Sequence, residues 1–202
     1  MLIIGVTGGS GSGKTTLLLA AKKRGALVLD CDEIYHALLE SSPQMLREIS
    51  GRFPGTVEGG VLARKKLGKL VFDDPKALQA LNAITHRYVE AEVKRRLRQE
   101  KDAPFAVIDA IGLLESGLDR LCTETVAVTA PEEARVRRLI AREGVSEDYA
   151  RARIRAQKPD SYYEDRCRHT LCNNYSTREA FEQAADRFLD RLTTIEEKEY
   201  FI

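Results

Sequence analysis

The stretch "IIGVTGGSGSGKTTLLLA", residues 3–20, decides the fold. An apolar run enters it, five glycines thread it, and one lysine with two threonines leads into a second apolar run. Gly8-Gly9-Ser10-Gly11-Ser12-Gly13-Lys14-Thr15 fits G-x-x-x-x-G-K-[ST], the phosphate-binding loop or P-loop. Each residue type has a physical task there. Glycines let successive backbone N–H groups point into one concavity, and the helix that follows turns its positive end on the same anion. The spacing predicts that Lys14 reaches the β and γ phosphates of a nucleotide and that the Thr15 hydroxyl meets Mg²⁺. A flexible Gly/Ser turn shares the composition. It does not require a strand before it and a helix after it, which "LIIGVT" and residues 14–24 supply.

Outward from the loop, strand-like and helix-like segments alternate. "ALVLD" (26–30), "FAVID" (105–109), "TVAVTA" (125–130) and "HTLCN" (169–173) read as short strands. Residues 33–52 and 61–99 read as mostly helical, broken at "SSPQ", "PGTVEGG" and "FDDP". Pro131 ahead of Glu132 and Glu133 starts a helix, its acids set against the positive end of the dipole. Residues 177–193 form a last amphipathic helix, with Ala180, Phe181, Ala184, Ala185, Phe188 and Leu189 on one side. The alternation implies an α/β fold of the P-loop NTPase kind, a parallel β-sheet flanked by helices.

At 202 residues the chain is long enough for one domain with insertions. A formal net charge of +1 supplies no global field for nucleic acid or a membrane surface, so neither is expected as a partner. Apolar runs fall well short of the ~20 residues a membrane span needs. "MLIIGV" lacks the basic flank and small-residue cleavage site of a signal peptide. Cys31, Cys122, Cys167 and Cys172 show no framework spacing, which points to a reducing cytoplasm. Cys167-x-His169-x-x-Cys172 lacks the second ligand pair of a zinc site.

A P-loop binds a nucleotide without defining the reaction. Asp109 ends the strand "FAVID" and is placed as a metal-side carboxylate acting through water, or it is a plain strand-end acid. Asp109-Ala-Ile-Gly112 also fits the D-x-x-G of GTPases, but no N-K-x-D guanine-reading motif accompanies it. "LVLDCDEIYHALL" puts Asp30 and Asp32 at the carboxyl end of the second strand, where α/β sheets gather ligands. Residues two apart on a strand share a side, so one of the two acids can orient an acceptor hydroxyl and take its proton. The bland alternative is that they cap the helix beginning near Glu33. His86 and the nearby Arg87, Lys94, Arg95, Arg96 and Arg98 lie in a helical stretch, either toward an acceptor's phosphates or on a solvated face. Arg135, Arg138 and Arg142 at i, i+3, i+7 lie on one helix face. After Gly144 and the helix start at Ser146, Arg151, Arg155 and Lys158 at i, i+4, i+7 likewise lie on one face. The pair reads as a cationic hairpin that closes over a triphosphate, or as a surface of mixed charge.

In this order the motifs resemble the dephospho-CoA kinase family. Its "TGGxGSGK[ST]T" is here Thr7-Gly8-Gly9-Ser10-Gly11-Ser12-Gly13-Lys14-Thr15-Thr16, and its D-x-D is Asp30-Cys31-Asp32. Its "ITHP" is Ile84-Thr85-His86 with Arg87 in place of proline, and its "PLLFESGL" is similar to residues 111–118. Its lid pattern matches Arg138, Arg142, Arg153 and Gln157, and its late asparagine motif is similar to residues 170–175. Three departures stand out: Arg87, the Ile111-Gly112 pair, and Tyr175 where the family has glycine. The resemblance implies a core (1–32, 104–134 and 168–202), a helical acceptor-binding insertion at about 33–103 and a helical lid at about 135–167. It implies ATP-dependent phosphorylation of the 3′-hydroxyl of the small molecule dephospho-CoA, with Mg²⁺ as metal. It makes Asp32 the base, Lys14 and Arg142 the groups on the moving phosphoryl, and Asp30 and His86 acceptor-side residues. Residues 8–16, Arg138 and Asn174 would hold ATP, and Thr15 and Asp109 the metal. The alternatives are a nucleoside or nucleoside-monophosphate kinase, and a non-catalytic nucleotide-gated binding module.

Overall fold

β1 (Leu2–Thr7) is buried on almost every residue, as a central strand covered on both faces must be. A computed structural model describes residues 1–199. The last three residues of the expected core segment 168–202 therefore lie outside the described residues. The chain divides into two compact units, Met1–Leu29 with Asp102–Ile202, and Asp30–Lys101.

In the first unit β1 pairs in parallel with β5 (Phe105–Asp109) on one side and β6 (Glu124–Thr129) on the other. β7 (His169–Cys172) continues in parallel beyond β6, and β2 (Leu27–Asp30) lies beyond β5, giving the order β2-β5-β1-β6-β7. The register sets Ile4 opposite Val107 and Val6 opposite Val126 across apolar neighbours. α1 (Lys14–Lys23) and α9 (Arg178–Glu199) share a core with the sheet. Phe181, Ala184, Ala185, Phe188, Leu189 and Leu192 form the buried stripe of α9, at the 3.6-residue period expected from the sequence. Each large side chain so buried contributes about 1.5–3 kcal/mol before chain entropy is counted. Arg24, which closes α1, bonds to Asp186 and, at 2.8 Å, to Asp190 on α9.

The same unit carries α6 (Glu132–Glu143), α7 (Glu147–Arg155) and α8 (Asp160–Glu164). Gly144 ends α6 at φ +66°, and the Ser146 hydroxyl accepts from the Tyr149 amide to start α7. Val136, Leu139, Ala150 and Ile154 bury the seam of this hairpin.

The second unit is mainly helical: α2 (Cys31–Ser41), α3 (Pro43–Arg52), α4 (Arg64–Phe72) and the 25-residue α5 (Pro75–Gln99). Its own core gathers Leu39, Met45, Leu46, Ile49, Phe53, Leu67, Val71 and Ala77. Ser42 and Asp74 cap α3 and α5, each followed by proline at the first helical position. "PGTVEGG" is more than a break. It supplies β3 (Val57–Glu58) and the Gly59-Gly60 turn at positive φ of a hairpin whose second strand, β4 (Val61–Leu62), takes the first residues of the stretch expected to be helical.

Candidate active site

The loop between β1 and α1 is fixed by close approaches that only glycine permits. Gly13 caps α1 at φ +111°, and an added Cβ would collide with the Asn173 amide. At Gly9 the obstacle is the Arg135 guanidinium. Within the loop, the Ser12 amide donates to Gly9 O at 3.2 Å. The Lys14 ammonium donates to Gly8 O at 3.0 Å, folded back on its own loop. Ser12 Oγ is buried with no hydrogen-bond partner among the described residues, an unsatisfied polar atom inside the loop.

Behind the loop stands a second row of side chains from segments far away in sequence. Arg135 is 4% exposed. It donates from Nε to Ser10 O, from Nη1 to Asp160 Oδ1 and from Nη2 to Gln157 Oε1, each at 3.0 Å. Gln157 Oε1 also accepts from the Ser10 amide, and Gln157 Nε2 donates to Ser10 Oγ, both at 2.9 Å. Arg138 donates to Gly11 O at 3.1 Å and to Asn173 Oδ1 at 2.9 Å, and burial, helped by Arg137, lowers its pKa from the ordinary arginine value. Asn173 is buried, donates from Nδ2 to Ser12 O at 2.9 Å, and extends the sheet through its amide to Thr129 O at 2.7 Å.

This geometry redistributes the expected roles along α6. The i, i+3, i+7 arginines share a face but not an environment. Arg135 and Arg138 grip the loop's carbonyls, whereas Arg142 is exposed and bonded to Glu143, whose carboxyl it holds below the usual range. Arg153 reaches the same Glu143 at 2.6 Å, and Arg151 is engaged by Glu133 and Glu147. Asn174 is exposed, while its neighbour Asn173 faces inward. Strand alternation from buried Leu171 would have selected Asn173.

Thr15, the second residue of α1, is exposed. Asp109 is half-buried at the end of β5, in register with Val6 just before the loop. A hydroxyl from the first turn of α1 and a carboxylate from the end of β5 are donor types that suit Mg²⁺, which keeps several waters and takes its other oxygens from phosphates. No cluster of three or more His, Cys, Asp or Glu able to hold a metal occurs among the described residues. Cys122 is no candidate nucleophile, since burial pushes its thiol up to about 12.

The second unit holds the acceptor-side candidates. β2 ends at Asp30 and α2 begins at Cys31, so strand alternation does not relate Asp30 to Asp32; that expectation is corrected. Asp30 Oδ1 accepts from the amides of Asp32 (2.9 Å) and Glu33 (3.1 Å), the capping role set out as the bland alternative. Asp32 is exposed in the first turn of α2. His86 is half-buried in the middle of α5. Arg87 is ion-paired with Glu48 of α3, and Tyr88 donates to the same carboxylate at 2.6 Å.

The model of the family described as CoaE, dephospho-CoA kinase, matches residues 2–179. A dephospho-CoA kinase from Thermus thermophilus is 38% identical over 195 residues, 95% of this chain and 92% of that protein. A solved structure from Thermus thermophilus superposes with a TM-score of 0.78 at 37% identity, covering 95% of this chain and 97% of the other. A shikimate kinase structure from Bacteroides thetaiotaomicron reaches a TM-score of 0.57 at 19% identity over 95% and 98% of the two chains, a likeness of fold alone.

Proposed function

We infer the mechanism from one premise: this chain belongs to the dephospho-CoA kinase family. It transfers the terminal phosphoryl group of ATP to the 3′-hydroxyl of dephospho-CoA, giving CoA and ADP, the last step of coenzyme A biosynthesis. The observation that carries the reading is the preassembled loop, whose carbonyls are held by Arg135 and Arg138 and whose lysine bonds to Gly8 O.

In the proposed reaction the acceptor oxygen bonds to the γ-phosphorus as the β–γ bridging P–O bond breaks, and ADP leaves with the bridging oxygen. Residues 8–16 hold the triphosphate. Lys14 exchanges Gly8 O for β and γ oxygens and offsets charge as it moves to the leaving group. Asp32 accepts the hydroxyl proton. It is a weak base, which suffices in a loose transition state where the proton leaves late. Asp30 serves by fixing the turn that carries Asp32. Arg142 leaves Glu143 to meet the transferring group when the α6–α7 hairpin acts as lid. Thr15 and Asp109 would hold Mg²⁺, which would supply positive charge to offset that of the phosphates. Asn174 is assigned to the adenine side. The unit Asp30–Lys101 is assigned to acceptor binding, with His86 among its contacts. No helix among the described residues is long and apolar enough to cross a membrane, and all four cysteines are free thiols. The free thiols support a cytoplasmic enzyme, and the net charge of +1 supplies no field for nucleic acid or a membrane surface.

A coupled ADP-release assay tests the acceptor. Turnover is expected with dephospho-CoA and not with AMP, UMP or nucleosides. Turnover with a nucleotide and none with dephospho-CoA overturns the assignment.

A further inference from the structure

We propose that Arg135 is a positioning residue for phosphoryl transfer, acting with Gln157 through Ser10 to set the shape of the phosphate loop. The inference rests on the kinase reading for its consequence and on geometry for its content. Arg135 does not reach toward the loop's mouth. It is buried, and its three donors go to three separate acceptors, one of them the loop carbonyl Ser10 O. Gln157 takes the remaining polar groups of the same residue, the Ser10 amide and hydroxyl. Ser10 is 7% exposed, so its amide, carbonyl and hydroxyl are all engaged from behind.

Two physical consequences follow. The amides of Ser10 and Ser12 are committed within the protein, to Gln157 and Gly9 O, so the anion nest is built from the loop's other amides. The direction of those amides depends on the peptide planes around Ser10 and Gly11. Arg135 fixes these planes twice, by its bond to Ser10 O and by its backbone. An ideal Cβ on Gly11, at φ +79°, would lie 2.8 Å from Arg135 O. Gly9 carries independent evidence of the same packing: it has no left-handed φ to explain it, yet any side chain there would displace the Arg135 guanidinium. Part of the loop's glycine pattern is thus dictated by an arginine about 125 residues away rather than by phosphate alone. Asp160 completes the clamp and balances the buried charge.

Lysine is no substitute, because a single ammonium cannot span three diverging acceptors as a planar fork does. The test uses the full chain with R135K, Q157A and G9A, each checked for cooperative unfolding well above assay temperature. Affinity for Mg²⁺–ATP is read by calorimetry, which needs no acceptor and so stands apart from the choice of acceptor. Kinetics with dephospho-CoA then separate KM for ATP from KM for the acceptor. Each folded variant is expected to bind ATP at least about tenfold more weakly, with the acceptor KM within about twofold of wild type. R135K with Q157A combined should lose less than the product of the two single losses, since both act through Ser10. If R135K does not fold, Q157A carries the test, because it removes two bonds to Ser10 and one from Arg135 while Asp160 still balances the buried charge. ATP affinity within twofold of wild type in the folded variants overturns the proposal, as does an equal loss in both KM values.

Discussion

The phosphate loop and the Asp30–Glu33 turn both join the end of a strand to the start of a helix, yet they are built in opposite ways. Residues 8–13 are mostly buried and are held by Arg135, Arg138, Gln157 and Asn173, which enter from α6, from after α7 and from after β7. The Asp30–Glu33 turn is capped locally, by the Asp30 carboxylate on two amides of its own helix, and Asp32 is exposed. The difference matches what each must do. A site that stabilises charge works best when its dipoles are fixed before the substrate arrives. A group that only takes a proton can rest on a well-capped turn and be oriented by the acceptor it serves.

The comparison breaks most visibly at Lys14. Lys14→Ala removes the one loop cation and leaves the second row of side chains untouched. Activity should fall by about 10³-fold, the scale for losing a preorganised charge-stabilising group, with circular dichroism unchanged. Retained turnover in a folded variant would place the phosphate chemistry elsewhere. The next largest effect concerns the exposed turn. Asp32→Asn should lower kcat by about 10²-fold or more while KM for ATP holds, as expected for a lost proton acceptor. Asp30→Asn should stay within a few fold, because asparagine caps a helix about as well as aspartate. The reverse order would assign the hydroxyl to Asp30 and remove the contrast drawn above.

The smallest effect tests whether the second unit answers to local contacts throughout. Glu92 in α5 is held down to about 2 by hydrogen bonds from Arg95 and Arg96, against an ordinary value of 4.5. A carboxylate with a lowered folded pKa stabilises fully above its unfolded value and loses that contribution as pH falls toward 2. Glu92→Gln should therefore cost about 1 kcal/mol or less at pH 7 and nothing near pH 2, read from urea midpoints at both pH values. A larger loss at pH 7 would show that this surface pair supports more than its own helix turn.

Much of this contrast was legible in the sequence, and the illegible part has a common cause. Periodicity located the strand 105–109 to the residue, and it found the apolar stripe of α9 because one buried face repeats with the period of the element. Glycine spacing located the loop. Spacing alone could not say which of Arg135, Arg138 and Arg142 turns inward, because that depends on how β6 delivers α6 against the loop. It also set Asp30 and Asp32 on one strand, since Cys31 gives no sign that the helix starts there. Asn173 was within reach: counting by two from Leu171 separates it from Asn174. Local patterns reveal where elements lie, whereas the partners of the phosphate loop are set by contacts across more than 100 residues.

The last helix carries a practical lesson about where such an enzyme stops. The family match ends at residue 179, the second residue of α9, so every recognisable motif lies upstream of it. Yet Phe181, Phe188 and Leu189 share the interior with Leu17 and Leu18 of the helix that begins at Lys14, and Asp186 and Asp190 clasp Arg24 at its far end. A fragment trimmed to its motif boundaries would keep the whole catalytic vocabulary and strip the backing wall from the nucleotide helix, leaving a greasy, unanchored surface. Domain limits for expression are better drawn from buried area than from recognisable words.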